Sequence, residues 1–205
     1  AVAGMLDAHT RFGKLPLADV INPAIRLARD GFVLDESRSR SIRGAARNLA
    51  RFEASARQFL INGTEAPPTG YLLKQPDLAR TLEAIRDHGK DGFYRGCVAD
   101  SLEAEMKRGG GVMTAADLAA YQAKWRDPIR ISYRGWTIWS MPPASSGGAT
   151  LAMLLNMMEG YDPLPPFGSA ELMHLEAEAM RRAFTDRNRF LADPDFERVP
   201  LDRLV

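Results

Sequence analysis

Between Asp127 and Met141 the hydrophobic period of the chain drops from about 3.6 residues to about 2, and this change limits the fold more than any other feature. Ile129, Ile131 and Tyr133 alternate with polar residues, Arg134-Gly135 interrupts, and Trp136, Ile138 and Trp139 follow. Alternation of this kind marks half-buried strands, and a dipeptide ending in glycine suits a tight hairpin turn. A lone two-stranded hairpin is marginal in water, so this one needs helices on its face or further strands at its edge. The expected class is α+β: a mostly helical chain with one β-ribbon that feeds a larger sheet. The same change of period separates a helical lobe over 1–125 from a ribbon followed by helices over 126–205.

The remainder of the chain reads as helices punctuated by glycine and proline. A first helix should run to Arg11 and stop at Gly13. Leu17 to Arg29 carries Val20, Ile21, Ala24, Ile25, Leu27 and Ala28 on one face, closes at Gly31, and holds Pro23 within its first two turns, where proline costs least. Asp35 is a plausible N-cap for a third helix through Leu49. Asn62 to Gly70 is a loop by composition, and Tyr71-Leu72-Leu73 is either a short strand or an extended run. Asp77 is expected to cap a helix ending near Gly89, and Phe93 to Arg108 to form one continuous helix broken by Gly109-Gly110-Gly111. Thr114 with Asp117 three residues on is a variant capping box. After the ribbon, Ser145-Ser146-Gly147-Gly148 leads into a helix through Met158, a second helix runs from Ser169 to about Phe190, and Asp193 to Phe196 is a turn. Ala1 to Leu6 reads as helix interior with no cap before it, which implies a longer natural chain.

Lys plus Arg is 27 against 26 for Asp plus Glu, a net charge of +1, so nothing electrostatic favours nucleic acid or an anionic membrane. No run of about 18 apolar residues occurs, so no membrane-spanning helix is expected. Cys97 is the single cysteine, which excludes an intramolecular disulfide and a paired-cysteine zinc site.

Each candidate for chemistry has an ordinary structural counterpart. His9 and His88 read as surface residues, one on a polar helix face and one at a helix C-terminus. His174 and Glu178 share a helix face at i, i+4, which suits either two metal ligands or a hydrogen-bonded pair, but no third ligand is apparent, so no metal site is assigned. Cys97 after Gly96, near a helix start, is read as a small packed residue rather than a reactive thiol. Asp186, Asp193 and Asp195, interleaved with Arg187 and Arg189, suit salt bridges and turn hydrogen bonds better than a calcium loop. Trp136, Trp139 and Tyr133 are read as core rather than as a stacking surface. Ser145, Ser146, Gly147 and Gly148 form the most site-like stretch. They either present backbone N–H groups to an anion such as a carboxylate, or make an ordinary cap whose glycines permit tight packing on the ribbon.

Met141-Pro142-Pro143-Ala144-Ser145-Ser146-Gly147-Gly148 resembles the M-P-P-P-S-S-G-G signature of gamma-glutamyltransferases, with Ala144 in place of the third proline. Tyr133-Arg134-Gly135 resembles the family's Y-R-G segment. His174, Glu178-Ala179, Ala183-Phe184, Asp186-Arg187 and Asp193-Pro194-Asp195-Phe196 follow its H…E-A…A-[FY]-x-D-R…D-P-D-F pattern. Val2-Ala3-Gly4, Phe12 to Pro16, Pro23 to Ile25, Ala28 to Phe32 and Met113 to Tyr121 are similar to segments of its large subunit. The resemblance spans nearly the whole chain, in order. It implies part of the large-subunit region of an N-terminal-nucleophile hydrolase with an αββα sandwich. Its precursor cuts itself, and the new N-terminal Thr of the small subunit passes a gamma-glutamyl group from glutathione or a related compound to water or to an amino acid or peptide. None of the chain's threonines has the T-T-H-type surroundings of that cleavage site, so no catalytic residue is carried over, and no metal or cofactor is implied. The fragment alone is expected to be inactive, with Ser145 to Gly148 lining or supporting the site. The implied partners are the small subunit and a gamma-glutamyl substrate, the implied location is periplasmic or secreted, and an open ribbon edge invites a homodimer of the fragment. Rival readings are a non-catalytic helical interaction module and a related acylase acting on another amide.

Overall fold

The computed structural model describes residues 1–205, which divide into two compact units, Ala1–Lys124 and Trp125–Val205. The first is helical. It contains α1 (Val2–Phe12), α2 (Leu17–Asp30), the short strand β1 (Phe32–Val33), α3 (Glu36–Leu49), α4 (Glu53–Phe59), the short strand β2 (Leu72–Leu73), α5 (Pro76–His88), α6 (Asp91–Tyr94), α7 (Gly96–Gly109) and α8 (Ala115–Ala120). The second holds the ribbon strands β3 (Ile129–Tyr133) and β4 (Trp136–Ser140), then α9 (Gly147–Glu159), α10 (Ala170–Phe190) and α11 (Leu201–Leu204). The class is α+β, as the change of period implied.

In the first unit α2 packs on α5, burying Ile25 and Ala28 from one helix and Ala79 and Ile85 from the other. A second cluster gathers Ala3, Tyr94, Ala99 and Leu118. Within it the Tyr94 hydroxyl accepts from the Ala3 amide at 3.3 Å, and its ring stacks on Tyr121 with centroids 5.3 Å apart. Asp35 caps α3 by accepting from the Arg38 amide at 2.7 Å. Thr114 and Asp117 close a complete capping box on α8, and the Thr114 hydroxyl and amide hold the Asp117 carboxyl below its ordinary range.

The structure corrects the helix boundaries at three places. Asp77 is not a cap: α5 starts at Pro76, whose missing N–H costs nothing at a first helical position, and Asp77 lies in the first turn, paired with Arg80. The helix expected over Phe93–Arg108 is two, because Arg95 is extended and Gly96 takes φ +62°, a left-handed value that no continuous helix accommodates. The helix α4, with only seven residues, gave no periodic signal of its own. Tyr71 stays outside β2, which pairs antiparallel with β1 in the register Phe32↔Leu73 and Val33↔Leu72.

In the second unit β3 and β4 pair antiparallel around Arg134 (φ 49°) and Gly135 (φ 81°), the two left-handed residues of a type I′ hairpin. Ile129 and Ile131 bury one face of the ribbon against Ala149 and Ala152 of α9. A further cluster between α9 and α10 buries Met158, Leu172 and Ala179, with Tyr133 of β3 packed against it. The Arg134 amide donates to Glu159 Oε1 at 3.0 Å and its guanidinium to the Tyr161 carbonyl at 2.6 Å, which fixes the hairpin turn to the C-terminal end of α9. The ribbon is a sheet of two strands, so each strand leaves one edge unpaired.

Close backbone contact explains one glycine outright. A Cβ on Gly92 would sit 1.9 Å from the Ala84 carbonyl oxygen, whereas one on Gly44, within α3, would meet nothing within 4 Å. Gly92→Ala should therefore lower unfolding stability by about 1–3 kcal/mol through overpacking, and Gly44→Ala should raise it by about 0.4–1 kcal/mol. Urea melts of the two variants read both signs in one experiment.

Candidate functional site

The Ser145–Gly148 stretch joins the ribbon to α9. The chain leaves β4 at Ser140 and turns through Pro142 and Pro143, and the Ser145 amide donates to the Pro142 carbonyl at 3.2 Å. Ser146 occupies the N-cap position of α9 in an αR conformation and makes no side-chain cap. Its carbonyl instead accepts from the Thr150 amide at 3.0 Å and the Thr150 hydroxyl at 2.8 Å. Gly148 is fully packed: a Cβ there would lie 2.1 Å from the Met141 carbonyl oxygen. The four residues thus divide by role. Ser146 and Gly148 are built into the joint, while Ser145 and Gly147 face solvent, with the Gly147 amide 3.4 Å from Ser145 Oγ.

A residue from the far end of the unit completes the stretch. Arg187, on the last turns of α10, donates from Nε to Ser146 Oγ at 3.0 Å and from Nη1 to Asn188 at 2.8 Å. No sequence spacing announces this contact across 41 positions. The sequence pattern had grouped Arg187 with the nearby aspartates. Of these, Asp193 and Asp195 find another cation: Arg126 lies 2.6 Å from Asp195 and 3.9 Å from Asp193, and the Asp195 amide donates to Asp193 Oδ1 at 3.0 Å. Salt bridges and a turn were expected there, and the cation that makes them is Arg126.

The other candidates lie on different elements. His9 Nε2 meets the Leu15 carbonyl at 2.9 Å, and His88 is the exposed last residue of α5. His174 and Glu178 do share a face and line a cleft with Met157, Met158, Tyr161 and Arg182. They form no hydrogen-bonded pair, contrary to expectation: Glu178 is taken by Arg181 at 2.6 Å, which holds its carboxyl below the ordinary 4.5. A guanidinium offers a carboxylate two donors where an imidazole offers one. Cys97 is exposed rather than packed, because the break at Gly96 turns the first residues of α7 toward solvent. Trp136 and Trp139 are also not core, at 75% and 61% exposure. The ribbon buries only the face that α9 covers, and Trp139 lies on the other, under the Arg130 guanidinium at 5.7 Å. Tyr133 alone of the three joins a packed cluster.

The family model described as gamma-glutamyltranspeptidase matches residues 1–205. The chain belongs to the gamma-glutamyltranspeptidase family. It is 39% identical over 205 residues to the glutathione hydrolase proenzyme of Escherichia coli (strain K12), covering all of this chain and 35% of that protein. It is 43% identical over 206 residues to the acylase ACY 1 proenzyme of Pseudomonas sp. (strain SE83), covering all of this chain and 37% of that protein. The crystal structure of Helicobacter pylori gamma-glutamyltranspeptidase superimposes with a TM-score of 0.93 at 40% identity, over 99% of this chain and 58% of that one. The chain thus spans little more than a third of the length of the relatives it matches.

The Arg187–Ser146 bond gives the joint a testable stability. Removing a hydrogen bond from a charged donor costs about 1.5–3 kcal/mol, so Arg187→Ala should lower the urea midpoint accordingly. It should also speed amide exchange over residues 146–150, and Arg187→Lys should recover only part of the loss, because an ammonium does not reproduce the directed Nε–H.

Proposed function

We propose that the full-length protein containing this chain is a gamma-glutamyl-transferring enzyme that hydrolyses glutathione or related gamma-glutamyl amides, or passes the gamma-glutamyl group to an amino acid or peptide. The observation that carries this is the family match over the whole of residues 1–205, together with glutathione hydrolase proenzymes among the relatives. The nucleophile is the N-terminal Thr of a small subunit, outside residues 1–205, released when the precursor cleaves itself. A threonine hydroxyl is a weak nucleophile, and a freed α-amino group on the same residue supplies the base it needs.

Within that enzyme this chain is framework from the large subunit, folded as part of an αββα sandwich, and no catalytic residue lies in it. Ser145, Ser146, Gly147 and Gly148 support the site: Gly148 packs against the Met141 carbonyl, Arg187 donates to Ser146, and Ser145 and Gly147 are the solvent-facing members. The enzyme is periplasmic or secreted, and no helix is long and apolar enough to cross a membrane. An acylase acting on another amide is the second reading, favoured by the 43% identity to an acylase proenzyme, because a shared framework does not fix the substrate.

Two measurements test these assignments. Full-length processed protein should release nitroaniline from gamma-glutamyl-p-nitroanilide, while residues 1–205 alone should release none. Full-length protein that ignores this amide but cleaves an acyl side chain from a cephalosporin would favour the acylase instead. The unpaired edges of the ribbon should also make residues 1–205 self-associate at high concentration, and sedimentation showing a strict monomer would count against an open edge.

A further inference from the structure

We draw no further inference here: the strongest candidate, the cleft on the second unit that His174, Glu178 and Arg182 of α10 line together with Met157 and Met158 of α9, carries nothing because nothing in the structure shows what covers it.

Discussion

The approach of the Met141 carbonyl to the Cα of Gly148 is the contact on which the second unit depends. It leaves no room for a side chain, so the exit from β4 and the start of α9 are held at one separation and one angle. That geometry lays Ala149 and Ala152 against Ile129 and Ile131 and gives the ribbon its only covered face. Apolar area removed from water contributes roughly 25 cal/mol per Å², so a ribbon with few residues of its own gains its stability from this one helix. The small residues of α9 are what allow strand and helix to meet so closely, and α10 packs on the same helix in a cluster that Tyr133 of the ribbon joins.

How much of this was legible in the sequence depended on whether a feature was local. The hairpin, its Arg134-Gly135 turn, the Asp35 cap and the Thr114 capping box all follow from neighbouring residues and stand as expected. The break at Arg95–Gly96 was visible only as one glycine in a helical pattern, and glycine there is compatible with either outcome until its φ is known. The exposure of Trp139 was not legible, because alternation fixes which residues share a face and not which face a helix will cover; Trp136 shares the covered face with Ile138 and is exposed beside the hairpin turn, at the end of the ribbon. Within the candidate joint, the Ser-Ser-Gly-Gly pattern identified the stretch, but the demand for glycine at 148 comes from a carbonyl seven residues earlier. Nothing in the pattern pointed to Arg187.

Family membership and chemistry occupy different levels here. The motifs shared with gamma-glutamyltranspeptidases fall largely at caps, turns and packing positions: Tyr133-Arg134-Gly135 at the hairpin, Met141 to Gly148 at the joint, and Asp193 to Phe196 at a turn held by Arg126. Such residues recur for geometric reasons, and they serve a hydrolase, a transferase or an acylase equally well. This is why a chain can be assigned to its family from framework alone while its substrate is not assigned by the same residues.

The two ends of α9 are both pinned, one by the Gly148 contact and the other by Arg134 reaching Glu159 and Tyr161. A helix of 13 residues is about 20 Å long, and a rod anchored at both ends carries displacement along its axis with little loss. The hairpin tip and Ser145–Ser146 therefore sit at opposite ends of one helix. Whatever comes to rest on that tip would press on the serines through a strut rather than through a chain of loose loops.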